Sequence, residues 1–220
     1  MPFFENKIRE SIVIQYKYQI LFLIMLVNIL LPGFFPEEIR SAFILPALNV
    51  MLLGACFIVI QRLRRTALYI FIFGILGVVF NWYEGYAGLI GLVVFSMFIG
   101  IVSFELFSDL VSKKNIGISE IFGAFDGYML IGYIGALLSL AIHFLDPGAY
   151  TNVAEGREGS QDLLYFSYIT MLTIGYGDIA PLISASKGLS IVMGLVGQFY
   201  LVVVIATFVG KFLRDSDNKS

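Results

Sequence analysis

The sequence has few of the residues from which active sites and covalent frameworks are usually built. Its one cysteine, Cys56, can neither close a disulfide within the chain nor form a thiolate cluster for a metal. Lying inside an apolar run, it reads as a small packing residue. There is one histidine, His143, no H-E-x-x-H and no pair of carboxylates within an apolar run, so the residue set of a membrane-embedded enzyme is missing. Charge is scarce as well. Of 220 residues 14% are charged and 59% hydrophobic, and mean hydropathy is +0.89. That balance excludes an ordinary soluble domain and fits a polytopic, all-α membrane protein. The net charge of −2 says nothing about partners, because the charges are sorted by loop. No feature points to a cofactor or to nucleic acid.

What is present is a series of apolar runs of membrane-crossing length. Residues 1–11 form a short cytoplasmic lead-in with Lys7, Arg9, Glu5 and Glu10. A first helix is expected over 12–31, with Lys17 near enough to its inner end to snorkel. It is too long for a signal-peptide core and has no small-residue cleavage site, so it reads as a retained anchor. Pro32, Gly33 and Pro36 break the chain over 32–40, and a second run covers 41–60 up to the basic loop carrying Arg62, Arg64 and Arg65. A third run, 66–82, ends at Trp82 and Tyr83, where aromatic side chains favour the interface. A fourth covers 86–107. A linker over 108–118 leads to a fifth helix over 119–144, for which Ser119 is the expected N-cap. A polar loop over 146–159 and a last helix over 183–212 follow, with a polar tail at 213–220.

Between the fifth and last runs lies Thr173-Ile174-Gly175-Tyr176-Gly177, followed by Asp178. Gly175 and Gly177 tolerate left-handed conformations, so these five residues suit a backbone that turns successive carbonyls toward one axis. Ile174 and Tyr176 would then point away from that axis and brace the strand. The helix expected just upstream, 161–172, is about 18 Å long, too short for a hydrocarbon core of about 30 Å. It must enter the membrane and turn back. Irregular backbone at that depth is tolerated only where protein buries it or where it lines a water-filled path.

This stretch resembles the potassium-channel signature T-V/I-G-Y-G-D. The resemblance spans about 119–212 and is specific only over 165–181. It implies six transmembrane helices with a re-entrant pore helix and selectivity filter between the fifth and sixth, four copies around one axis as a homotetramer, and K+ as permeant ion at Thr173, Ile174, Gly175 and Tyr176. It further implies that Asp178 bonds an aromatic side chain of the pore helix; the family commonly has tryptophan there, and this chain has Tyr165. Some relatives carry a glutamate behind the filter where this chain has Ile169, so any slow filter closure that depends on that carboxylate is not implied. Gly197 falls at the family's inner-helix hinge, with Gly194 one turn earlier, and either bending or close packing accounts for it.

Residues 12–107 occupy the position of a voltage sensor, but 86–107 contains no lysine or arginine. Each charge moved across the field is worth about 2.3 kcal/mol per 100 mV, so strong voltage gating by that helix is not expected. All lysines and arginines but Arg40, Arg157 and Lys187 fall on one side of the implied topology, which places both termini in the cytoplasm of a cell-membrane, multi-pass protein. With so short a tail, gating is expected to be leak-like or set by lipid, tension or pH. A potassium-transporter-type subunit or a weakly selective cation channel is the alternative. Asp126 with Asn28 and Asn49 forms a candidate polar contact between helices, structural or gating. Gly123 and Gly127 form a G-x-x-x-G packing pair.

Overall fold

In the computed structural model the described residues are 15–60, 72, 75, 86–113, 117–154 and 159–210. Among them are five helices long and apolar enough to cross a membrane. The expected third run at 66–82, the basic loop with Arg62, Arg64 and Arg65, and the segments 1–11 and 213–220 lie outside the described residues.

Helix α1, Lys17–Leu30, continues through a 3-10 turn, Leu31–Phe34. Helix α2, Glu37–Val59, starts four residues before its expected position, and its first turns include a π-helical stretch, Arg40–Ile44. Pro36 precedes it with extended backbone, and Glu37 and Glu38 place negative charge at the positive end of the helix dipole. Those two carboxylates start a helix where hydropathy alone shows a loop. Helix α3, Tyr86–Ser112, runs past 107 and takes up much of the expected linker. The added turn is polar in sequence but has tertiary partners: Leu110 is fully buried, and Asp109 Oδ2 accepts from Lys17 Nζ at 2.9 Å and from Tyr18 Oη at 2.6 Å. Lys17 is thus 4% exposed and ion-paired, and does not snorkel.

Helix α4, Ile118–Leu145, is the central element, packed on α1, α3, the short helix α5, Gly159–Met171, and the last helix α6, Ser184–Gly210. Its N-cap is Gly117 and not Ser119: Glu120 Oε2 accepts from Gly117 N at 2.9 Å while Glu120 Oε1 pairs with Lys113 at 2.7 Å. Ser119 instead reaches Gln15 O and Gln19 Oε1 on the first helix. Close approach along α4 depends on its glycines. A Cβ at Gly123 would meet Leu110 and the Tyr18 ring at 3.0 to 3.2 Å, and one at Gly127 would overlap Tyr200 Oη of α6. The G-x-x-x-G pair therefore serves two sets of partners, Gly123 facing α1 and α3 and Gly127 facing α6. Asn28 and Asn49 both accept from Tyr133 Oη, at 3.4 and 2.8 Å. Asp126 is not part of that contact; it is fully buried, and neither carboxylate oxygen has a partner.

Candidate ion-conduction site

The site is assembled on α5. Two of its side chains anchor it to α4: Ser167 Oγ donates to Gly132 O at 2.6 Å, and Tyr168 Oη donates to Met129 O at 2.8 Å. Both bonds need α5 to lie against bare backbone, and a Cβ at Gly132 would collide with the Tyr168 ring. At the N-terminal end, Asp162 Oδ2 accepts from Ala154 N at 2.9 Å, tying the first turn of α5 to the preceding loop. Helix and chain reversal at its C-terminal end are continuous. Thr173 N bonds Thr170 O at 3.1 Å, and Ile169 O accepts from both Ile174 N, at 2.9 Å, and Gly175 N, at 3.3 Å. The last carbonyls of a helix have no partner within it, so here the start of the candidate filter supplies their donors.

Beyond this turn the backbone alternates in handedness. Thr173 has φ +58°, Gly175 +55° and Gly177 +81°, while Ile174 and Tyr176 do not have positive φ. In a strand of uniform handedness successive carbonyls point in opposite directions; reversing handedness at every second residue is what brings them to one side. A Cβ on Gly175 or Gly177 would meet nothing within 4 Å, so glycine is required there for conformation and not for room. The left-handed backbone of Thr173 is the feature that sequence reasoning missed. A β-branched residue with positive φ is a genuine outlier and stores strain.

Tyr165 Oη donates to Asp178 Oδ2 at 2.8 Å, so the structure brings together the two residues that the resemblance paired. That hydrogen bond is the main reason the Tyr165 phenol is held above its ordinary pKa, with smaller contributions from burial and from nearby charge. Ile169 is buried at 6% exposure and contributes its carbonyl, not a polar side chain, behind the filter. Ile174 and Tyr176 are 47% and 73% exposed, so the chain's own helices do not brace them. Gly197 faces the end of α5: a Cβ there would meet Met171 O at 3.0 Å and Met171 Cβ at 3.1 Å, which is close packing. Gly194 has open space beside it. The irregular part of α6 is the π-helical segment Tyr200–Ile205, three residues after Gly197, and π-helical turns often mark functional sites.

Residues 139–214, which hold α5, the alternating segment and α6, match the family described as "Ion channel". Two curated relatives match: "Two pore potassium channel c" of Oryza sativa subsp. japonica, 34% identical over 83 residues, 37% of this chain and 18% of the relative, and "Two-pore potassium channel 5" of Arabidopsis thaliana, 34% identical over 86 residues, 39% of this chain and 20% of the relative. Through this segment the chain is similar to potassium channels. The chain spans about a fifth of the length of these curated relatives, and no solved structure matches it. The matched segment is thus of the ion-channel kind and not of an enzyme's. The matched segment begins within α4, after Met129 and Gly132 that receive α5, so α1 to α3 lie outside the matched residues.

Proposed function

We propose that the chain is the subunit of a potassium-selective channel that conducts K+ passively across the cell membrane as a homotetramer, multi-pass, with both termini in the cytoplasm. The observation that carries this reading is the alternation of positive φ at Thr173, Gly175 and Gly177, directly above the inner end of α5. Carbonyls aligned in this way replace the hydration shell of a dehydrated cation. Sites for K+ are at the levels of Thr173, Ile174, Gly175 and Tyr176, and the Thr173 hydroxyl adds an oxygen at the inner end. Each α5 also directs a helix C-terminus, about half a negative charge, toward the membrane centre. Four copies place about two negative charges beneath the filter.

Two features support four copies. One filter motif occurs in the sequence, and one filter strand cannot surround an ion. In addition, Ile191, Leu195, Phe199 and Val202 lie uncovered on α6, which leaves a long apolar surface for neighbouring copies and lipid. Because α3 has no lysine or arginine, the conductance is leak-like or modulated by lipid, tension or pH, not steeply by voltage.

The test is ion flux from liposomes holding the purified protein, comparing potassium and sodium gradients at zero applied voltage, together with the mass of the protein in detergent. Potassium-selective flux from a four-copy assembly is expected. Equal sodium and potassium flux overturns the selectivity, and a single-copy mass favours the transporter-type alternative.

A further inference from the structure

Residues 149–152, in the loop before α5, are bonded to the segment that leaves the filter. Thr151 N donates to Ala180 O at 2.9 Å, and Ala180 N donates to Thr151 Oγ1 at 2.8 Å. Leu182 N and Ser186 Oγ both donate to Ala149 O at 2.9 Å, and Tyr150 pairs antiparallel with Pro181. At the end of this ladder nearest the filter, Asn152 Nδ2 donates to the backbone carbonyl of Asp178 at 2.7 Å. Asn152 has φ +53°, a left-handed position that asparagine accepts more readily than most residues.

The two halves of the filter are held unequally. At the inner half, the amides of Thr173, Ile174 and Gly175 are bonded to the end of α5. At the outer half, among the described residues, no backbone hydrogen bond holds the amides of Tyr176, Gly177 or Asp178. Gly177, at φ +81° with open space where a Cβ would stand, offers no steric resistance to rotation of the peptide that follows it. The outer half is therefore held through Asp178, by Tyr165 on its side chain and by Asn152 on its carbonyl. Ile169 supplies no third polar side chain from behind.

We propose that Asn152 is a positioning residue for ion selection: by holding the Asp178 carbonyl from the outer side, its amide keeps the outermost filter carbonyls from turning away from the axis. This rests on reading residues 173–177 as a potassium filter. Asn152 and Asp178 are both exposed, so their bond contributes little to the fold, and an effect on selectivity is separable from an effect on stability.

Two variants test it. Asn152→Gly keeps the left-handed backbone and removes the amide; Asn152→Asp keeps the size and puts an acceptor opposite an acceptor. Each is purified as the full chain and compared with the unmodified protein by the potassium-to-sodium flux ratio in liposomes and by the gain in melting temperature on replacing Na+ with K+. Both variants are expected to assemble and to melt in Na+ as the unmodified protein does, with a several-fold lower flux ratio and a smaller K+-dependent gain, Asn152→Asp the more severe. An unchanged flux ratio and K+ gain in both variants overturn the proposal and leave the filter reading intact. Failure of both to assemble makes Asn152 a folding residue and also overturns it. If the unmodified protein shows neither selective flux nor a K+ gain, the filter reading fails and this proposal fails with it.

Discussion

At Gly175 and Gly177 the requirement is for backbone conformation alone. With φ +55° and +81° and open space on the Cβ side, an alanine at either position meets no neighbour but must adopt a left-handed conformation. That costs roughly 1–2 kcal/mol per residue, enough to favour a rearranged filter without unfolding a membrane bundle. Gly175→Ala and Gly177→Ala are expected to be made and assembled normally and to lose potassium selectivity or conduction, read by liposome flux. Normal selectivity in both would remove the filter assignment. The Tyr165–Asp178 contact makes a second residue-scale prediction. Tyr165→Phe removes a 2.8 Å hydrogen bond from an exposed site, so stability should change little while the flux ratio falls. Tyr165→Trp presents an N–H donor from the same position and is expected to restore the ratio; equal behaviour of Phe and Trp would separate this contact from selectivity. The sign of the pH effect follows from the raised phenol. The bond is fully present below the ordinary tyrosine value of about 10 and is lost only as pH rises through the higher folded-state value, so neutral and acidic pH leave the phenol's side of the contact intact.

At the scale of elements, α4 decides how the pore meets the rest of the chain, and its glycines are where this can be tested. A Cβ at Gly127 overlaps the Tyr200 hydroxyl, while the next ring atom, Cζ, stands 3.1 Å away. Gly127→Ala is therefore expected to destabilise by about 1–3 kcal/mol through overpacking. Removing the hydroxyl with Tyr200→Phe gives up its 2.8 Å bond to Ala124 O but leaves room for the added methyl group. The double variant should melt higher than the sum of the two single losses predicts, because the two changes share one contact. Strict additivity of melting shifts would show that α4 and α6 do not meet there. Much of this arrangement was legible in the sequence: the G-x-x-x-G spacing announced tight packing, the filter glycines announced their own handedness, and apolar runs marked the five described spans. Helix ends were less legible. Asp109 and Ser112 look like linker until Lys17 and Tyr18, more than 90 positions away, supply partners for Asp109. The same non-local bonding hid the outer clamp, in which Asn152 meets a carbonyl 26 residues ahead. The conformation of Thr173 was hidden for the opposite reason, since its intrinsic preference argues against the left-handed backbone that the reversal after α5 imposes on it.

At the scale of the whole molecule, the question is what α1, α2 and α3 can do to the proposed pore beside them. A voltage sensor needs charges that move relative to the field without their partners. Lys17, the one lysine or arginine of α1, lies 2.9 Å from Asp109 at the end of α3, and α3 contains no lysine or arginine at all. If α1 and α3 shift together, the pair carries no net charge through the field and contributes nothing to the roughly 2.3 kcal/mol per charge per 100 mV on which steep voltage dependence relies. The pair lies beside the Gly123 contact with α4, where Tyr18 bonds Asp109 and packs on that glycine, so it serves to fasten these helices to the pore. The expected outcome in planar bilayers is therefore a current that follows the potassium driving force, with no gating current from these helices. Breaking the fastening by Asp109→Ala should lower thermal stability by several degrees, because it leaves the 4% exposed Lys17 without a partner, yet should create no voltage dependence. Steep voltage activation of the unmodified protein, abolished in Asp109→Ala, would turn the same pair from a fastening into a sensor.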